Sequence, residues 1–256
     1  MADERGRPRA TGLRTAAVWA TLERHASDRS AQLGRPLRVL DLGGGTGGTA
    51  VPLAEAGHEV TVVDPSPDAL ASLRRRATER GVQHRVHAVQ GDTDSVRDLH
   101  DGAAPAYDIV CLHGTLEVVE DPDAALASVA DVLARGGTLS LVVAQRLPAA
   151  LARALAGQFE RASAILSRPD GRWGEDDPAP RRYDEARVLE LLEAHGLSAF
   201  DSHGVRIFSD LVPSALVDSE ADRVALLELE DVASHHLDHP LLGALGSVRH
   251  VLATRG

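Results

Sequence analysis

The segment from Leu37 to Asp64 constrains this chain more than any other. It reads LRVLDL, then the glycine cluster GGGTGG, then a short helical stretch, then EVTVV closed by an acid. Leu37 to Leu42 is a compact apolar run of the kind that parallel strands show when both faces are buried. Glycines at 43–48 allow a tight turn and let a helix start directly behind it, from Thr49 to Glu55, with Gly57 as its stop. Strand, crossover helix and strand in so short a space define a parallel βαβ unit.

The alternation continues. Ser66 to Arg80 carries Ala69, Leu70, Leu73 and Ala77 at helical spacing, with Ser66 or Asp64 to cap it and Gly81 to end it. Strands are predicted at Arg85 to Gln90, Tyr107 to Leu112 and Thr138 to Val143, with a helix from Pro122 to Ala134 between the last two. The fold class that follows is α/β: a Rossmann-like, mostly parallel seven-stranded sheet with helices on both faces. After Gln145 the pattern changes to a long Ala/Leu helix or helix pair (Leu147 to Leu166) and a polar loop, SRPDGRWGEDDPAP. A helix from Tyr183-Asp184 to His195-Gly196, strand-like segments at Leu197 to Phe208 and Arg249 to Thr254, and a helix near Ser219 to Ser234 complete the chain. We therefore expect one domain over 1–256. It divides into an N-terminal helical cap (1–35), a cofactor-binding core (36–145), a helical insertion acting as a substrate lid (146–183) and a C-terminal part of the sheet (184–256).

In open α/β sheets ligands bind beyond the carboxyl ends of the strands. Four polar signals fall at such ends: Asp41 with Gly43, Gly44 and Gly45; Asp64; Gly91-Asp92; and His113. Gly43, Gly45 and Gly48 also satisfy G-x-G-x-x-G, a pattern that is weak alone. Asp64, 21 residues after Gly43, suits the two hydroxyls of a ribose, and it also suits a helix cap. Asp92 suits an exocyclic amine such as that of adenine, or a turn. Asp41 before the glycines suits a ligand carrying positive charge, an amino group or a sulfonium.

Composition narrows the function classes. The chain has no lysine, which excludes lysine Schiff-base chemistry and a P-loop. Its single cysteine, Cys111, excludes an internal disulfide and multi-cysteine zinc sites, and no metal is expected. No apolar run approaches the roughly 18 residues of a membrane span, and MADERGRPRAT lacks a signal-peptide hydrophobic region, so a cytoplasmic protein without membrane partners is expected.

Five motifs in order, VLDLGGGTG, VTVVDPS, QGD, YDIVCLHGTLEVVEDP and LARGGTLSLVV, resemble class I S-adenosylmethionine-dependent methyltransferases over about residues 36–145. TGLR at Thr11 to Arg14, Trp19, HGVRIFSD, LLELE and RHVLATR extend the resemblance to the tRNA 5-carboxymethoxyuridine methyltransferase group, which esterifies the carboxylate of a modified wobble uridine. The resemblance implies S-adenosylmethionine as cofactor. Arg14 would contact its carboxylate, Gly43 and Gly44 its methionine part, Asp64 the ribose and Gly91-Asp92 the adenine end, with His113 facing the cofactor.

His113 is the candidate catalytic residue; Glu117 and His203 are further candidates should the acceptor need a base. Arg182, Tyr183 and Arg206, with Arg181, are candidates for holding an anionic acceptor. A net charge of −11, the absence of lysine and an aromatic content of 3% argue against tRNA and for a small-molecule acceptor, and HGTLE in place of an Asn/Asp-Pro-Pro-aromatic signature favours methylation on oxygen, of a carboxylate or hydroxyl. tRNA methyl-ester formation stands as the alternative, and a catalytically silent cofactor-binding regulator as a further one. A nicotinamide oxidoreductase is disfavoured by Asp41 and by the lack of a Tyr-x-x-x-Lys pair.

Overall fold

A computed structural model describes residues 16–93, 95–96, 107–234 and 240–256. In chain order the elements begin with α1 (Ala16–Leu33), β1 (Arg38–Leu42), α2 (Ala50–Glu55), β2 (Glu59–Asp64), α3 (Pro67–Glu79), β3 (Val86–Gln90) and β4 (Tyr107–His113). They continue with α4 (Pro122–Val132), β5 (Leu133–Ala144), α5 (Arg146–Leu155), α6 (Phe159–Ser167), α7 (Glu185–Ala194), β6 (Leu197–Val205), α8 (Glu220–Ser234), α9 (Pro240–Leu245) and β7 (Val248–Arg255).

The strands form one seven-stranded sheet in the order β3-β2-β1-β4-β5-β7-β6. All pairs are parallel except those of β7, which is antiparallel to β5 and to β6. Strand order therefore reverses between β1 and β4, the switch point at which open α/β sheets open a crevice.

Alternation along the strands builds two cores. Val39, Val60, Val62, Ile109 and Cys111 face Leu22, Ala50, Leu70 and Leu73 of α1, α2 and α3. Leu40, Leu42, Val110, Leu112, Leu141 and Val251 face Leu126, Val129, Leu191 and Leu192 of α4 and α7. Local signals explain the helix ends. The Ser66 hydroxyl accepts from the amide of Ala69 at the start of α3, and Pro67 fills the first helical position. Asp121 caps α4 by accepting from Asp123 and Ala124.

Three features differ from the sequence reading. Strand β5 starts at Leu133 rather than Thr138, because Leu133 pairs with Tyr107 ahead of an irregularity in register. Strand β6 ends at Val205 rather than Phe208, with Arg206 after it at φ 59°, while the Ala/Leu stretch takes the helix-pair form, separated at Gly157 with φ +72°. The sequence reading placed no element at α9. This short apolar helix packs so tightly on β6 that a Cβ at Gly204 would overlap the Gly243 carbonyl.

The insertion at 146–183 leaves and returns at one point. Tyr183 N donates to the Ala144 carbonyl at 2.9 Å and Arg146 N to the Tyr183 carbonyl at 3.2 Å. Both helices of the insertion are thus hung from the carboxyl end of β5, beside the switch point.

Candidate cofactor site

Asp41, the glycine loop, Asp64, Gly91-Asp92 and His113 lie at the carboxyl ends of four adjacent strands, β1, β2, β3 and β4. The loop after β1 is tied down from both sides. Gly43 N donates to the Val63 carbonyl at 2.8 Å, and the Thr115 hydroxyl donates to the Leu42 carbonyl at 2.9 Å. Gly43 has φ +72°, and a Cβ there would overlap the Thr115 side chain. At Gly44 a Cβ would run into the Asp41 carboxyl. The two glycines are required for packing of the loop itself as well as for close approach of a ligand.

Asp64 is buried at the end of β2, accepting from Gly45 N on one oxygen and from Ser66 N on the other, both at 2.9 Å. Each oxygen keeps a further acceptor position. Asp92 is exposed and forms a local turn: its carboxylate accepts from Ser95 N at 3.0 Å, while the Ser95 hydroxyl closes on the Asp92 carbonyl at 2.8 Å.

Asp41 is 2% exposed, and among the described residues its Oδ2 has no hydrogen-bond partner. Burial, with the charge of Asp64 added, pushes its carboxyl up to about 7. A buried carboxyl of this kind is satisfied by a proton or by a positive group brought beside it. A sulfonium cofactor with an amino group would bring such a positive group, and the residues present fit it. Beside Asp41 on the neighbouring strand, Cys111 is fully buried, and burial together with Asp41 raises its thiol well above the ordinary range, which disfavours the thiolate.

His113 ends β4, with Nε2 2.8 Å from the Ser140 hydroxyl and Nδ1 3.5 Å from the Thr49 hydroxyl. Burial lowers its imidazole to about 4, so the ring is neutral at physiological pH. Glu117, in the loop after β4, accepts from Ala144 N at 2.6 Å, while its Oε2 is buried without a partner among the described residues and burial raises its carboxyl. His203 lies on β6, held to Asp201 at 3.1 Å, two strands away from β5.

The residues expected to hold an anionic acceptor are committed elsewhere. Arg182 makes a buried ion pair with Asp177 at 2.6 and 2.9 Å and also donates to the Gly171 carbonyl. The Tyr183 hydroxyl donates to the Leu116 carbonyl at 2.9 Å, and burial raises the phenol to about 12. Arg206, in the left-handed region at φ 59°, pairs with Asp210 at 2.9 Å and with Ser247. Arg181 donates to the carbonyls of Val119 and Glu120. In the structure each of these four is engaged in contacts within the fold. Arg14, with the TGLR motif, lies outside the described residues.

The two motifs HGVRIFSD and LLELE meet in space. Glu230 accepts from the amides of Ile207, Phe208 and Ser209 and from the Ser209 hydroxyl, closing the loop after β6 onto α8. Residues that sequence reasoning missed are Thr49, Ser140 and His250, which surround His113; the only signal for His250 was its place in RHVLATR. A separate cavity of about 680 Å³ opens between α1 and α2 at the opposite end of the strands. Two of its lining arginines are already paired, Arg35 with Asp108 and Arg85 with Glu59.

A methyltransferase-domain family profile matches residues 40–139. The tRNA 5-carboxymethoxyuridine methyltransferase of Escherichia coli (strain K12) is 32% identical over 218 residues, covering 85% of this chain and 80% of that protein. A ubiquinone biosynthesis O-methyltransferase of Xanthomonas axonopodis pv. citri (strain 306) is 38% identical over 120 residues, covering 47% and 48%. The crystal structure of magnesium protoporphyrin IX methyltransferase from Synechocystis PCC 6803 with bound SAH has the same fold, with a TM-score of 0.59 at 18% identity over 100% of this chain and 90% of that one. Among the described residues no helix is long and apolar enough to cross a membrane. The crevice at the β1/β4 switch point, the orphaned acid beneath its glycine loop and these likenesses together show that the chain belongs to the class I S-adenosylmethionine-dependent methyltransferases.

Proposed function

We propose that this enzyme methylates a carboxylate oxygen, and that the carboxylate belongs to a modified wobble uridine of tRNA. The observation that carries the first half is the state of His113. The imidazole best placed at the carboxyl end of β4 is neutral and weakly basic, with both nitrogens engaged. A phenol or an amine would need a stronger base there, whereas a carboxylate arrives already deprotonated.

Bound S-adenosylmethionine supplies a methyl group on a sulfonium, open to in-line displacement by an oxygen lone pair. The chain's part is alignment and exclusion of water. Under this reading Asp41 neutralises positive charge near the glycine loop, Asp64 takes the ribose hydroxyls on its remaining lone pairs, and Gly91-Asp92 borders the adenine. Arg14 is proposed for the cofactor carboxylate, and the insertion at 146–183 for the lid over the acceptor.

The tRNA half is supported by how far the relative extends. The 32% identity to the Escherichia coli tRNA methyltransferase covers 85% of the chain, well beyond the cofactor core. The distribution of charge supports it too. Residues 146–183 hold seven Arg against five acidic residues, inside a protein whose net charge is −11. Phe159, at the start of α6, is 71% exposed, and three guanidinium groups lie near Trp173: Arg153 at 4.0 Å, Arg182 at 4.8 Å and Arg161 at 5.9 Å. Arg153 and Arg161 hydrogen-bond Gln158 rather than a carboxylate.

The second reading is a small carboxylic acid as acceptor, favoured by the overall acidic charge. The discriminating experiment offers radiolabelled S-adenosylmethionine with bulk tRNA and, separately, with small aromatic and aliphatic carboxylic acids. Base-labile label in tRNA is the expected result. Label transfer to small acids alone gives the second reading, and base-stable label in either case removes the carboxylate.

A further inference from the structure

Three histidines share one face of the sheet. In the strand register His113 stands beside Val142, Val142 beside His250, and His250 beside His203, so the three rings project from the same side. Ser140, two residues before Val142 on β5, projects there as well. Its hydroxyl oxygen lies 2.8 Å from His113 Nε2 and 2.9 Å from His250 Nε2. At the far end of this bridge His250 is fully buried, its Nδ1 has no hydrogen-bond partner among the described residues, and the His203 ring meets it edge-on at 5.1 Å. At the near end His113 Nδ1 points at the Thr49 hydroxyl, where the glycine loop enters α2.

A hydroxyl has one proton to give. Placed between two ring nitrogens, Ser140 donates to one and accepts from the other, so one Nε2 carries hydrogen and the other a lone pair. A neutral imidazole carries one N–H, and burial keeps both rings neutral, lowering His113 to about 4 and His250 to about 2. The tautomer of His250 therefore dictates that of His113.

Only two arrangements satisfy the bridge. In one, His250 carries its hydrogen on Nδ1 and leaves a buried N–H with no acceptor. In the other, His250 donates from Nε2 to Ser140, Ser140 donates to His113 Nε2, and His113 carries its hydrogen on Nδ1, directed at Thr49. Buried N–H groups without an acceptor are the rarest unsatisfied polar groups in folded proteins, so the second arrangement is favoured. We propose that Ser140 and His250 are positioning residues that hold His113 as its Nδ1–H tautomer, so that the end of β4 presents a hydrogen-bond donor, and not a base, to the glycine loop and the cofactor site.

The test is ¹⁵N NMR of the imidazole nitrogens in the full chain at neutral pH, apo and with S-adenosylhomocysteine, the rings assigned from single His→Gln variants. The expected spectrum gives His113 a protonated Nδ1 and an unprotonated Nε2, and gives His250 the reverse. A protonated Nε2 on His113 overturns the proposal. In Ser140→Ala the His113 ring is released, and its nitrogens shift toward a mixture of tautomers. S-adenosylhomocysteine affinity then falls about tenfold, the equivalent of one lost hydrogen bond, and Ser140→Thr restores it. An unchanged His113 tautomer in Ser140→Ala also overturns it, and if that variant fails to fold the wild-type spectrum decides alone. No methyl acceptor enters these measurements, so they stand apart from the identity of the substrate.

Discussion

The carboxylate of Asp64 accepts the amide of Gly45 at 2.9 Å, joining the end of β2 to the glycine loop of β1. Its second oxygen accepts from Ser66 N at the start of α3, also at 2.9 Å. One buried acid thus joins three elements around the place proposed for a ribose. Preorganisation of this kind lowers the ordering cost of ligand binding.

Replacing Asp64 tests both roles. Asp64→Ala is expected to weaken S-adenosylhomocysteine binding by about 2 to 4 kcal/mol, two charge-assisted hydrogen bonds, as read by calorimetry. It also removes the acceptor for Gly45 and Ser66, so the melting temperature falls. Asp64→Asn keeps one acceptor oxygen and falls between the two. A lower melting temperature with wild-type affinity would reduce Asp64 to scaffolding.

Asp41 gives a dependence on pH. Its carboxyl, raised to about 7 by burial and by Asp64, holds a proton in the folded apo protein that the unfolded chain releases near pH 4. The native state binds more protons between those values, so stability falls as pH rises through about 4 to 7, by at most about 4 kcal/mol from this group. Asp41→Asn is expected to flatten the apo-protein's stability profile over that window and to make it more stable above pH 7. The same variant binds S-adenosylmethionine more weakly, because the positive ligand loses its counter-charge. Denaturant titrations at pH 5, 6, 7 and 8 measure the first effect; an unchanged slope in the Asn variant would place the proton elsewhere.

The pair Arg182–Asp177 carries a stability prediction. Both side chains are almost fully buried and doubly hydrogen-bonded. Asp177→Ala leaves a buried guanidinium without its partner and is expected to cost about 3 to 5 kcal/mol in denaturant unfolding. The paired replacement Asp177→Leu with Arg182→Met restores much of that loss. Equal losses in the single and paired variants would mean that the pair is not what holds the insertion together.

How far the sequence was readable depends on the range of the interaction. Strand and helix positions up to Val143 follow from local patterns, and the structure keeps most of them within one or two residues. Ser66 and Asp121 cap their helices because capping needs only neighbours three residues away. The four signals at the strand ends are likewise local to each strand. What sequence could not show is which partner each polar group takes. Arg182 reads as a free cation until Asp177 folds back on it, and Tyr183 as a substrate contact until its hydroxyl reaches Leu116. Ser140 and His250 are 110 residues apart and meet only because β7 runs antiparallel beside β5. A total charge for the whole chain likewise hides a segment whose sign differs: residues 146–183 hold seven Arg against five acidic residues.

That segment supplies the last prediction. If residues 146–183 guide tRNA, binding must depend on salt. Each phosphate neutralised releases counterions, so the log–log slope against salt is about −0.7 to −0.9 per contact. Arg153 and Arg161 are the residues to change, since both are tied to a glutamine rather than to an acid, and Arg153 stacks on Trp173. The double variant Arg153→Gln with Arg161→Gln is expected to lower the steepness of that slope by about one to two and to leave S-adenosylhomocysteine affinity unchanged, because neither residue lies at the ends of β1 to β4. Methyl transfer to tRNA in the same variant should lose through KM rather than kcat. Filter binding of bulk tRNA at several salt concentrations reads the slope. A slope near zero in the wild-type enzyme would remove the polyanion and leave a small carboxylate as the acceptor, whereas a steep slope unchanged by the double variant would move the contact to arginines outside the insertion.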